Sequence, residues 1–143
     1  MLATRTAVVS FLFAAALHSQ QPPSGCLSYE PAMEHVTGKL TIKTFPGPPN
    51  YESVQKGDRE ESSLLIELHH PVCVAEDKND PDLNPSQGGV TAIQLVLEPE
   101  AYKTYKPMVG REVVATGTLF GAHTGHHHTP VLLTVKTIES AHH

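Results

Sequence analysis

Apolar and polar positions alternate along most of the chain after residue 35, and the alternation is interrupted at regular intervals by turn-forming residues. From Val36, apolar Val36, Leu40 and Ile42 fall on one side, with Thr37, Lys39, Thr41 and Lys43 on the other. That pattern predicts a half-buried strand. It ends at Phe45-Pro46-Gly47-Pro48-Pro49-Asn50-Tyr51, where three prolines fix φ and remove ladder donors, and a polar stretch continues to Glu61. A long loop is expected there. Leu64, Ile66 and Leu68 alternate with Leu65, Glu67 and His69, and the pattern resumes at Val72-Cys73-Val74 after Pro71. This reads as a second strand broken by a bend. The acidic segment from Glu76 to Pro85 has no periodicity and reads as a surface loop. A third strand runs from Val90 to Leu97, with Ile93, Leu95 and Leu97 on its buried face.

Pro99 and Glu100 suit a helix N-terminus, and Tyr102, Tyr105 and Val109 share one face at helical spacing, while Pro107 keeps the regular part short. Val113, Ala115, Gly117 and Leu119 predict a fourth strand, and Val131, Leu133 and Val135 a fifth. The expected fold is therefore mainly β: a single small five-stranded OB-like barrel with one short helix between strands 3 and 4. The barrel domain is placed at residues 36–139, preceded by an N-terminal arm at 20–35 and followed by a disordered tail at 140–143.

The first 19 residues follow another pattern. Arg5 precedes an apolar run from Ala7 to Leu17 broken only by Ser10, and no acidic residue is present. This is the layout of a signal peptide, residues 1–19, and predicts export to the periplasm or beyond. The run is about half of the roughly 20 residues that span a bilayer, so no membrane span is expected after cleavage. In that compartment the two cysteines, Cys26 and Cys73, are expected to form one disulfide. With 15 acidic residues against 10 Lys and Arg, the formal net charge is −5, and loss of Arg5 with the leader makes it more negative. A nucleic-acid partner needs a basic footprint, so none is expected.

Candidate chemistry gathers in Gly121-Ala122-His123-Thr124-Gly125-His126-His127-His128-Thr129-Pro130. Imidazole suits zinc, copper or nickel, and His123, His126 and His128 are the candidate metal ligands. Three protein ligands with one open position is what a catalytic zinc site needs. The competing explanation is a turn at Thr124-Gly125 decorated with surface histidines that bond loop carbonyls. No nucleophile motif of the GxSxG type and no phosphate-cradling glycine loop appears in the sequence, and with Cys26 and Cys73 expected to be bridged no reactive free cysteine is expected. In OB-folds the loops after strands one and four border the ligand face, so Phe45, Tyr51 and His127 are the candidate ligand-binding residues.

The segments Cys26-Leu27-Ser28-Tyr29-Glu30-Pro31, Lys43-Thr44-Phe45-Pro46-Gly47-Pro48-Pro49-Asn50-Tyr51-Glu52-Ser53 and Gly117-Thr118-Leu119-Phe120 with His123-Thr124-Gly125-His126-His127-His128-Thr129 resemble the domain of unknown function 4431 family of small exported bacterial proteins. The resemblance implies export and a single domain, and brings no activity or catalytic residue with it. The leading expectation is an exported, periplasmic, non-catalytic binding protein, inhibitor-like or immunity-like, for an unidentified protein or small ligand. The alternative is a metal-binding protein or metal-dependent hydrolase using the His123–His128 loop, with zinc, copper or nickel as the cofactor.

Overall fold

The structure is a computed structural model and describes residues 25–141, so the expected signal peptide and the last two residues of the expected tail lie outside the described residues. Six strands form: β1 (Leu27–Ser28), β2 (Glu34–Pro46), β3 (Glu60–Ala75), β4 (Gln87–Val96), β5 (Glu112–Gly121) and β6 (Val131–Ser140). β2 pairs antiparallel with β3 and β5, β5 with β6, and β3 with β4, while β4 and β6 pair in parallel. These pairings close five of the strands, β2 to β6, into a barrel.

Alternation decides what fills it. Val36 and Leu40 from β2, Leu64 and Ile66 from β3, Ile93 and Leu95 from β4, Val113, Ala115 and Leu119 from β5, and Val131 and Leu133 from β6 form one buried cluster. Each full burial of such a side chain contributes roughly 1.5–3 kcal/mol before chain entropy is subtracted. Gly117 sits where β5 and β6 shift register, and a Cβ there would collide with the Thr134 carbonyl oxygen. Only glycine lets the two backbones approach so closely.

The helix α1 (Pro99–Tyr105) lies between β4 and β5 and continues into a 3-10 turn at Lys106–Met108. Tyr102, Tyr105 and Val109 pack half-buried against the barrel core, the face expected from their spacing. Because β1 precedes the strand that opens the barrel, the helix follows the fourth strand in chain order. Among the described residues no helix is long and apolar enough to cross a membrane.

The arm is part of the folded unit. Cys26 and Cys73 form a disulfide that spans 47 positions of sequence. A closed loop of that size removes about 4 kcal/mol worth of freedom from the unfolded chain in the entropy treatment. Beside it, β1 pairs in parallel with Val74 and Ala75 of β3, and the buried Tyr29 donates its hydroxyl to the Pro85 carbonyl at 2.8 Å.

Three local features differ from the alternation-based reading. β3 passes through Pro71 as one strand, with register shifts between Glu67 and Val72 and between Val72 and Val74; a bulge takes up the proline, which has no ladder donor. Ile42, expected in the core, is 36% exposed, because alternation fixes the side on which a residue points and not how far the core extends along the strand. Conversely, Leu65 and Leu132 are buried although they point away from the core cluster, Leu65 between Leu64 and Ile66 and Leu132 between Val131 and Leu133. Their cover comes from the candidate site.

Candidate functional site: a seam between two loops

Both candidate loops emerge at the same end of the barrel, the proline loop (47–59) after β2 and the histidine loop (122–130) after β5. The proline loop is organised by one buried carboxylate. Asp58 accepts the backbone N–H groups of Asn50 at 2.9 Å, Glu52 at 2.8 Å and Ser53 at 2.8 Å, and the Asn50 side-chain amide at 3.1 Å. These bonds, led by that from Ser53, hold the Asp58 carboxyl below its ordinary value, because they favour the charged form. Wrapped around that carboxylate, Tyr51 adopts φ +58°, a left-handed conformation that costs a non-glycine residue roughly 1–2 kcal/mol.

Tyr51 reaches the other loop. Its ring lies against Gly125, where a Cβ would come within 2.9 Å of it, and its hydroxyl is 3.2 Å from His126 Nε2. A second contact runs alongside: the Phe45 and His128 rings stack with centroids 4.1 Å apart and planes 6° from parallel. The candidate loops therefore touch along a seam.

From below, the histidine loop is fastened to the outer face of the barrel. Gln94, buried near the C-terminal end of β4, donates its side-chain amide to the His126 carbonyl at 2.9 Å and accepts the His128 N–H at 2.7 Å. Its own N–H donates to Thr129 Oγ1 at 3.0 Å, and that hydroxyl donates to the Val131 carbonyl at 2.7 Å. Leu65 and Leu132 are the residues paired with Gln94 on either side, so the loop fixed to Gln94 lies over them. Farther along, Gly121 closes on the acidic loop. Its N–H donates to Asn84 Oδ1 at 2.8 Å, and a Cβ would strike the Leu83 carbonyl oxygen.

The histidines divide among different partners. His123 Nδ1 is 3.0 Å from the Gly121 carbonyl, and the His123 N–H donates to His127 Nδ1 at 3.0 Å. His123 and His127 also pack on Phe120, with centroids 5.8 and 5.5 Å away. Burial first, and then the neighbouring His123, His126 and His128, hold His127 below the ordinary histidine value of 6.5. His126 Nδ1 lies 2.7 Å from Glu61 Oε1, while His128 Nε2 faces Glu61 Oε2 at 3.7 Å. Those last two atoms are buried and have no hydrogen-bond partner.

Of the residues expected to bind ligand, Phe45 and Tyr51 meet the histidine loop, while His127 belongs to the separate Phe120 group. Among the described residues, no three His, Cys, Asp or Glu side chains form a group that could hold a metal ion, so His123, His126 and His128 are not assembled as a ligand set. The reason is local: His123 turns back onto its own loop, while His126 and His128 turn toward β3. Asp58, Glu61 and Gln94 organise this end of the barrel and were not singled out from the sequence. Gln94 carried one visible signal, a polar residue flanked by Ile93 and Leu95 in an apolar strand.

Residues 92–139 match the model of a domain of unknown function (DUF4431), which bears out the family resemblance over the stretch holding the second half of β4, the helix, β5, the histidine loop and most of β6. No curated protein and no solved structure matches the chain.

Proposed function

We propose that the protein is an exported, non-catalytic binding module of OB-like topology, whose partner-facing surface is the joined Phe45–Tyr51 and His123–His128 segments. The observation that carries this reading is Tyr51. A tyrosine kept at φ +58°, braced on Gly125 and bonded to His126, is a costly local arrangement, and such costs concentrate where a surface must be held in one shape. The OB-like label is supported by the pairing order β2-β3-β4-β6-β5 and back to β2, with only β4–β6 parallel. In that topology the two loops border the ligand face. Export is supported by the Cys26–Cys73 bridge together with the leader-like N-terminal sequence. A non-catalytic role fits polar groups that are satisfied by each other: the imidazole nitrogens of His126 face Glu61 and Tyr51, and Asp58 is taken up by backbone donors.

Affinity capture from a periplasmic extract tests the reading. Wild type is expected to retain a specific partner that a Tyr51→Ala/His127→Ala variant loses. Recovery of the same proteins by both would overturn it.

A further inference from the structure

The four imidazoles of the histidine loop do not all meet a proton in the same way. His123 Nδ1 already donates to the Gly121 carbonyl at 3.0 Å, so its Nε2 takes a second proton without loss of that bond. His126 Nδ1 faces the Glu61 carboxylate at 2.7 Å, and its Nε2 faces the Tyr51 hydroxyl at 3.2 Å, a group that turns either to donate or to accept. His128 Nε2 faces the other Glu61 oxygen as an ion pair. His127 is the exception. Its Nδ1 accepts the His123 backbone N–H at 3.0 Å, so that nitrogen carries no proton in the closed loop, and a backbone donor cannot turn round to accept. A proton placed on His127 Nδ1 would point at the proton of the N–H.

The His127 ring sits in a corner, with its centroid 5.5 Å from Phe120 and 4.6 Å from His123. The titratable groups that act on it are His123, His126 and His128, all from its own loop, and Phe120 of β5, on which it rests, does not titrate. From this geometry we propose that the corner is an acid-released latch: when His127 takes a proton, its ring leaves Phe120 and His123, while the rest of the loop stays seated on Glu61 and Gln94. The backbone permits this, since the His127 N–H remains bonded to the Thr124 carbonyl at 3.1 Å and both neighbours of His127 are tied to Gln94. Release uncovers the half-buried Phe120 and frees the His123 N–H. Burial and the like-charged neighbours hold the docked ring below the ordinary 6.5, so a released ring takes a proton more readily than a docked one. The latch is therefore closed at pH above 6.5 and opens as pH falls from there through the lower docked value. Its regulatory meaning rests on the partner surface proposed above, whose His127 side it would reshape in acid.

A titration of the free protein from about pH 8 to about pH 4.5, followed by NMR of its aromatic rings, tests the latch without any variant. The His127 ring is expected to titrate below 6.5, and cross-relaxation between the His127 and Phe120 rings is expected to be lost at the same midpoint. The His128 amide, which donates to Gln94, is expected to keep its exchange protection through that step, because this end of the loop stays seated. His127→Gln carries no titrating ring and is expected to remove the step from the Phe120 resonances. Titration of His127 at or above 6.5, a His127–Phe120 contact that survives it, loss of His128 amide protection at the same midpoint, or a Phe120 step that persists in His127→Gln would each overturn the assignment. The readout needs no partner, so its failure would leave the capture result standing, and failure of the capture would leave the latch standing.

Discussion

In the proline loop, the Asp58 carboxylate gathers three backbone N–H groups and one side-chain amide from residues only five to eight positions away, so the anchor belongs to the segment it anchors. The histidine loop has turn bonds of its own, including His127 N–H to the Thr124 carbonyl, but its seat on the barrel comes from elsewhere: Gln94, Glu61, Phe45 and Tyr51. One loop is built locally and the other is borrowed from distant sequence. A local anchor can hold a strained residue such as Tyr51 in place, and that residue then becomes part of the surface on which the second loop rests. The order of dependence therefore runs from Asp58 through Tyr51 to His126, with Gln94 supporting His126 and His128 from below.

The sharpest way to break this contrast is to remove the borrowed anchor. Gln94→Ala leaves the His126 carbonyl and the His128 N–H without their partner and opens space over Leu65 and Leu132. A loss of about 3 kcal/mol is expected in urea unfolding, with amide-exchange protection falling first in residues 122–130. A loss below about 1 kcal/mol, with that protection unchanged, would mean that the loop holds itself.

Asp58→Asn tests the local anchor in the same way, and a smaller effect is expected because the loop is exposed over much of its length. A thermal midpoint lower by about 5 °C is expected. The pH dependence has a definite sign. A carboxyl held below its ordinary 3.8 in the folded protein stabilises the fold at pH above that value, and the contribution disappears as pH falls through the lower folded value. The gap between wild type and Asp58→Asn is therefore expected to stay constant from pH 7 to 5 and to close below about pH 4. A gap that widened on acidification would show that Asp58 acts in some other way.

How far the sequence could be read follows from the same contrast. The strands, the short helix face and the cysteine pair were legible because each depends on spacing within a segment or on a count of two. Ile42, Leu65 and Leu132 were not, because their burial depends on what lies over each strand, and for the two leucines that is a loop fastened through Gln94 at a distance of more than 30 positions. The histidine cluster announced itself by composition, but its chemistry could not be read without Glu61. Phe45 and Glu61 are register partners across β2 and β3, so the carboxylate is placed beside the stack by a strand pairing that no local pattern reports. Asp58 is a different case: an acidic residue within a polar loop looks like any solvated charge until the N–H groups around it are seen.

The finest separation between the loops rests on backbone strain at Tyr51. Substitution by alanine and by glycine removes the same ring and the same hydroxyl, so both lose the contact with Gly125 and the bond to His126. They differ at φ +58°, where alanine retains the left-handed penalty and glycine is free of it, while glycine adds freedom to the unfolded chain. If Asp58 holds the backbone in this conformation without help from the ring, Tyr51→Gly should be more stable than Tyr51→Ala by about 0.5–1 kcal/mol. Chemical-denaturation midpoints of the two variants, compared directly, provide the measurement. Equal midpoints, or a more stable alanine variant, would mean that the loop relaxes out of the left-handed conformation once the ring is gone. The strain would then be maintained from the histidine loop, and the direction of dependence between the two loops would be reversed.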